Sequence, residues 1–201
     1  VLHGSQIVLT PEQIPLRGRH NAINVCAALA AIEAAGLGRP ALPEALQGLQ
    51  GLPHRLQTVH TAPDGVEWVD DSISTTPEST LAALAAFDGR PVVLIAGGSD
   101  RLQQYDGLGL SLAARAQDTR LILLPETGHR IGAAAAAHGL RRDRMSTVGD
   151  MRQAARLAAT LVAPGGVVLL SPAAPSFSQY ANFEERGEDF AARAKSVALR
   201  S

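Results

Sequence analysis

Along the chain, runs that are apolar at every position alternate with longer stretches whose apolar residues recur at helical spacing. Val92–Ala96 (VVLIA), Leu121–Leu124 (LILL) and Val167–Leu170 (VVLL) show no in-and-out alternation. That suits strands covered on both faces, as in a parallel sheet. Leu56–Thr61, Val66–Val69 and Met145–Val148 are further strand candidates. Helices are expected at about 77–87, 107–117, 129–138, 150–162 and 179–197. Turn residues punctuate the pattern at Pro63-Asp64-Gly65, Gly97-Gly98-Ser99, Gly139 and Pro164-Gly165-Gly166. Strands alternating with helices of this length imply βαβ units and a doubly wound α/β sheet, mostly parallel. Only a short turn separates Leu56–Thr61 from Val66–Val69, so these two are expected to form an antiparallel edge hairpin.

The chain before residue 51 reads differently. Residues 20–36, HNAINVCAALAAIEAAG, form an Ala-rich helical stretch that ends at Gly36 as a C-cap would. A second short helix fits 40–49, with Pro40 near its start. GLPHR at 51–55 is a turn signal. It divides a helical segment, 1–50, from an α/β domain, 51–201.

Composition narrows the function classes. At 46% hydrophobic and 18% charged residues, the 201-residue chain has an ordinary globular balance and can bury a sizeable core. Its net charge of −1 makes no electrostatic case for nucleic acid or an anionic membrane. Its apolar runs are too short to span a bilayer. Cys26 is the only cysteine, which excludes a disulfide and fits a reducing cytoplasm. Its apolar helical surroundings predict a buried structural thiol. The histidines show no metal-ligand spacing, so no metal site is expected. The N-terminus, VLHGSQIVL, lacks the basic and long apolar regions of a signal peptide. It begins inside a strand-like segment without an initiator Met, which is read as truncation.

Ligands of open α/β sheets sit beyond the carboxyl ends of the strands. That rule selects three loops: Asp70–Thr76, Gly97–Gln104 and Ser171–Gln179. In the first, Thr76, Pro77 and Glu78 read as a helix start. Asp71, Ser72 and Thr75 exceed what capping needs. In the second, Gly97 and Gly98 permit close backbone approach. Arg101 there is a donor suited to a carboxylate or phosphate, or else a solvated arginine in a tight turn. In the third, small residues surround Ser176, and Phe177 and Phe183 stand out in a chain with 3% aromatics. As isolated facts these two rings are read as core. Asn21 and Asn24, at i and i+3, share a helix face and could read a purine edge, or cap the helix. His54-Arg55 could hold phosphate or pair with an acidic neighbour. A GxSxG elbow and a Rossmann GxGxxG are absent, which disfavours an NAD-dependent oxidoreductase.

GRHNAINVCAALAAIEAAG, GLPHR, WVDDSISTT and SPAAPSFSQYANFEERGEDF follow one another in an order and spacing that resembles the C-terminal half of the Mur ligases, in particular the glutamate-adding members. The resemblance runs from about residue 15 to the end. It implies a Rossmann-like amino-acid-binding domain over 51–201, preceded by the helical remnant of an ATP-binding domain over 1–50. It also implies peptidoglycan precursor synthesis by a cytoplasmic, monomeric enzyme. ATP with Mg2+ would activate the carboxylate of UDP-N-acetylmuramoyl-L-alanine as an acyl phosphate, and the amine of glutamate would attack it. By position, Asn21 and Asn24 match residues contacting adenine. Arg55 matches an arginine reaching the nucleotide phosphates, and Asp71 an aspartate brought to the nucleotide on domain closure. Thr75, Arg101, Ser176, Phe177 and Phe183 match residues lining the amino-acid pocket.

Two departures touch acceptor recognition. Ile73 stands where the family pattern Ser-Lys-Ala-Thr has lysine, and Arg101 replaces the lysine of Gly-Asp-Gly-Lys. The Ser-Ile-Ser-Thr-Thr-Pro-Glu stretch resembles a branch that adds L-glutamate, with a partner epimerase inverting it afterwards. D- and L-glutamate both remain open at this point. Neither a P-loop nor the magnesium-binding residues nor a uridine-binding domain is found in the sequence, so the isolated chain is expected to be inactive. The alternative is a non-catalytic Rossmann-like module that binds a nucleotide or a small anion.

Overall fold

A computed structural model describes residues 2–3, 6–7, 9–38, 41–42 and 44–198. Pro40, where the second helix was expected to begin, lies outside them. The chain divides into two units, Val1–Leu52 and Pro53–Ser201.

The first unit contains a two-stranded antiparallel ladder, β1 (Leu2–His3) and β2 (Gln6–Ile7). A 3-10 turn, Pro11–Gln13, follows, and then helix α1 (Arg19–Ala34). The helix ends in a Schellman arrangement: Gly36 N donates to Glu33 O and Leu37 N to Ile32 O, with Gly36 at φ 70°. The expected helix over 40–49 is only a 3-10 turn, Glu44–Leu46. Gly48, at φ 84°, cannot continue it. A small core of Leu9, Ile14, Val25 and Leu46 is supported by Ala22 and Leu29. One face of α1 is thus covered. Cys26 is off that face and exposed, which corrects the expectation of a buried thiol.

The second unit is the doubly wound sheet. Its strands are β3 (Gln57–Thr61), β4 (Glu67–Asp70), β5 (Val92–Ala96), β6 (Thr119–Leu123), β7 (Met145–Thr147) and β8 (Val167–Leu170). They lie in the order β3-β4-β8-β5-β6-β7. Only β3–β4 is antiparallel, the expected edge hairpin, and the other pairs are parallel. Helices α2 (Pro77–Ala85), α3 (Asp106–Ala114) and α4 (Gly128–Ala137) connect β4 to β7. Helix α5 (Met151–Leu161) returns the chain to β8, and α6 (Phe183–Ala198) follows.

Both faces of the sheet are apolar, although the pleat alternates. Leu94, Leu121 and Leu169 pack with Leu84, Leu108 and Ile131 of α2–α4. Val93, Ile122 and Val168 pack with Met151, Ala155 and Phe190 of α5 and α6. This two-sided burial is why these strands read as unbroken hydrophobic runs. It also places the switch point. The chain leaves β4 and β5 toward one face and leaves β8, between them, toward the other. Connections that diverge on either side of β8 open a crevice beyond its carboxyl end.

Candidate functional site

The loops after β4, β5 and β8 meet above that crevice and are sewn together by backbone bonds. Gly97 N donates to Pro172 O at 2.8 Å, Ser99 N to Pro175 O at 2.8 Å, and Ala173 N to Ser74 O at 3.1 Å. Gln103 Nε2 donates to Thr75 O at 2.9 Å. The two glycines serve this closeness: a Cβ at Gly97 would strike the carbonyl of Leu124, and one at Gly98 the carbonyl of Pro175. Both have positive φ, 126° and 155°.

Arg101 and Phe177 come together at the rim, the guanidinium carbon 5.5 Å from the ring centroid. Both side chains are exposed. The neighbouring Asp100 does not neutralise Arg101, because Asp100 Oδ1 accepts from Arg130 at 2.5 Å and from Leu102 N at 2.7 Å. Arg130 also donates to Gln103 O at 2.8 Å and lies over the Tyr105 ring, which fixes the base of the loop. Ser176 is buried, and its carbonyl accepts from the backbone N–H groups of Gln179 and Tyr180. Ser99 Oγ and Gln103 Oε1 are buried polar atoms with no partner. Such orphans are rare in interiors and mark places where a ligand or water completes the bonding. Neither aromatic ring belongs to the core: Phe177 is 62% exposed and Phe183 is half-buried.

Asp70 and Asp71 both point inward. Asp71 Oδ1 accepts from Leu56 N at 3.2 Å, and Oδ2 from Ser171 Oγ at 2.7 Å. Burial pushes this carboxyl up to about 6, against the opposing pull of Ser74, Ser171, Leu56 N–H and Arg55. Asp70 lies 2.8 Å from His54 Nδ1 and accepts from Ser72 N at 2.9 Å. Burial raises it as well, with the His54 bond acting in the opposite direction. His54 meets the Phe183 ring edge-on at 6.0 Å, and Arg55 beside it is exposed. Thr76 does start α2. Its hydroxyl accepts from Ser79 N, Ser79 closes the capping box, and Pro77 occupies the first turn. Ile73 is half-buried and donates its backbone N–H to His54 O.

In the first unit, Asn24 Nδ2 donates to Asn21 Oδ1 at 3.2 Å, so the two amides do share a face. Asn21 does not cap the helix: it is in the first turn, the N-cap is Gly18, and Asn21 Nδ2 donates to Arg17 O.

One group escaped sequence reasoning. Arg186 is 1% exposed and bonds to Ser72 and Ala174. The signal available was its place in the NFEERG stretch, three residues after Phe183. Among the described residues, no cluster of His, Cys, Asp or Glu side chains could hold a metal ion. No helix among them is long and apolar enough to cross a membrane.

A family model described as "Mur ligase, glutamate ligase domain" matches residues 54–174. The UDP-N-acetylmuramoyl-L-alanine--L-glutamate ligase of Salinispora tropica is 42% identical over 199 residues, covering 97% of this chain and 43% of its own length. The enzymes of that name from a Micromonospora species and from Xanthomonas euvesicatoria are 43% and 42% identical, covering 92% and 95% of this chain. The match takes in 41% of each of those two relatives, so the chain spans about two fifths of their length. Among solved structures, the MurF ligase from Thermotoga maritima in complex with ADP superposes with a TM-score of 0.65 at 17% identity. It covers 91% of this chain and 39% of that one. At such identity the likeness establishes the fold.

Proposed function

The chain belongs to the Mur ligase family through its glutamate ligase domain, and from that premise we propose that it is the glutamate-receiving part of an ATP-dependent UDP-N-acetylmuramoyl-L-alanine–L-glutamate ligase. The names of the relatives favour the L enantiomer. In this reading residues 51–201 are the amino-acid-binding domain and 1–50 the end of the ATP-binding domain, in a cytoplasmic, monomeric enzyme of peptidoglycan precursor synthesis.

Arg101 and Ser176 receive the carboxylates of glutamate, Thr75 adds a hydroxyl, and Phe177 and Phe183 form the walls. The observation that carries this assignment is the Arg101 guanidinium, which pairs with no carboxylate among the described residues and is held over Phe177 where the three loops are sewn together. A cation so placed is a ready bidentate partner for a carboxylate. The work of these residues is positional: they hold the amino acid so that its amine faces the acyl carbon. ATP supplies the phosphoryl group that activates the acceptor carboxylate.

Arg55, exposed in the turn, is assigned to nucleotide phosphate, and the Asn21–Asn24 pair to the adenine edge. Asp71, which already accepts from Leu56 N and Ser171 Oγ, is assigned to the nucleotide as well.

The test is turnover by the full-length enzyme with ATP, UDP-N-acetylmuramoyl-L-alanine and each glutamate enantiomer, read by product mass and phosphate release. Product with L-glutamate is expected. Product with D-glutamate alone would overturn the enantiomer, and product with neither would overturn the ligase reading. The isolated chain is expected to give none.

A further inference from the structure

The Phe183–Gly187 stretch holds a residue that the proposed reaction leaves without a task. Arg186 is among the largest fully buried side chains of the protein. Its Nε donates to Ser72 Oγ at 2.9 Å, its Nη2 to Ser72 O at 2.8 Å and its Nη1 to Ala174 O at 3.0 Å. Ser72 Oγ in turn donates a hydrogen bond to Phe183 O at 2.7 Å. Nη1 also lies against Gly98, where a Cβ would stand 3.1 Å away. One guanidinium therefore bonds to the loops after β4 and β8, lies beside the loop after β5, and is linked through Ser72 to the first turn of α6. With Ser176 and Gly98 it lines a cavity of about 10 Å³.

The charge is unusual. Each bond of Arg186 ends on a neutral oxygen. Asp70 is near enough to favour the charged form but is itself bonded to His54. Burial pulls the guanidinium down to about 10, which leaves it protonated at neutral pH. A desolvated cation without a paired carboxylate is costly to stability. If stapling loops were the whole task, neutral donors would serve at less cost. The position of the charge beneath a rim built for an acidic ligand gives the cost a purpose.

We propose that Arg186 is the positioning residue of the amino-acid pocket. It clamps the three loops in the arrangement that presents Thr75, Arg101 and Ser176 to one ligand, and its positive charge eases the entry of the glutamate carboxylates. This rests on the glutamate-receiving reading above.

The test compares Arg186→Met, Arg186→Lys and Ser72→Ala with wild type in the full-length enzyme, reading kcat and the KM for glutamate and for ATP separately. For Arg186→Met the glutamate KM is expected to rise on the order of 10- to 100-fold, with the KM for ATP within about twofold. Arg186→Lys keeps the charge without the fork and should recover part of that loss. A merely structural role would lower the active fraction, and so kcat, at unchanged glutamate KM. That result would overturn the proposal. Should Arg186→Met not fold, Arg186→Lys and Ser72→Ala decide by the same readout: a raised glutamate KM supports it, and an unchanged one overturns it. A wild-type enzyme that fails to ligate glutamate removes the proposed function instead, so the two failures are told apart.

Discussion

His54 Nδ1 stands 2.8 Å from Asp70 Oδ2, and this pair ties the turn that opens the second unit to the last residue of β4. Gly187 of α6 is pressed against it: a Cβ there would strike both His54 Nδ1 and Asp70 Oδ2. The contact sets α6 close against the end of β4. Gly187→Ala should therefore destabilise the unit by about 1–3 kcal/mol, the usual cost of overpacking, even though alanine is the better helix former. Urea unfolding followed by the fluorescence of Trp68, the only tryptophan and 3% exposed, reads this unit directly. A neutral or stabilising result would show that the pair separates easily.

Asp71 supplies a pH signature. Burial holds it at about 6 in the folded state, against 3.8 for an ordinary aspartate. Between those values the folded chain binds more protons at this group than the unfolded chain does. The linkage then has a negative slope: stability falls as pH rises through about 4 to 6 and is level above. The drop from this group is on the order of 3 kcal/mol at about 1.36 kcal/mol per unit. Asp71→Asn should lack it, so the mutant gains on wild type as pH rises. Unfolding midpoints from pH 4 to 8 check this, and parallel profiles for the two proteins would refute it.

The fold was legible where burial is two-sided. Val92–Ala96 and Val167–Leu170 carry the same limits in sequence and structure, because a strand covered on both faces leaves a run with no polar interruption. The start of α6 was not legible. Residues 179–182 fit a helix, yet Gln179 and Tyr180 donate their backbone N–H groups to Ser176 O, and the helix begins at Phe183. Cys26 was misjudged because an Ala-rich stretch does not say which of its faces is covered. Arg101 could be picked out as a candidate from its type and its glycine neighbours, and it lies exposed over Phe177. Arg186 could not, since its partner Ser72 lies 114 positions away and nothing local marks the bond.

Arg101 offers the most direct test of the pocket. Removing its guanidinium in the full-length enzyme takes away a charged hydrogen bond worth about 1.5–3 kcal/mol. Arg101→Ala should raise the KM for glutamate on the order of 10- to 100-fold and leave that for ATP nearly unchanged. Phe177→Ala, which removes only the ring beneath the cation, should act in the same direction more weakly, since an exposed cation–π contact is worth about 0.5–1 kcal/mol. Steady-state kinetics on both variants measure this, and an unchanged glutamate KM in Arg101→Ala would remove that residue from the site.

Thr75 and Thr76 are neighbours with separable tasks. The Thr76 hydroxyl accepts from Ser79 N at 3.3 Å and closes the capping box of α2. Thr75 is half-buried, and the bond that pins it to the next loop runs through its carbonyl to Gln103. Thr76→Ala should thus cost about 1 kcal/mol of stability, the usual value of an N-cap, while the glutamate KM stays within about twofold. Thr75→Ala keeps the backbone bond and should be close to neutral in stability, with a raised glutamate KM if its hydroxyl meets the ligand as proposed. Unfolding and kinetic measurements on the two variants form a crossed pair. If both variants lose stability and neither changes KM, the hydroxyls of this loop serve the helix alone, and the pocket must draw its polar contacts from the loops after β5 and β8.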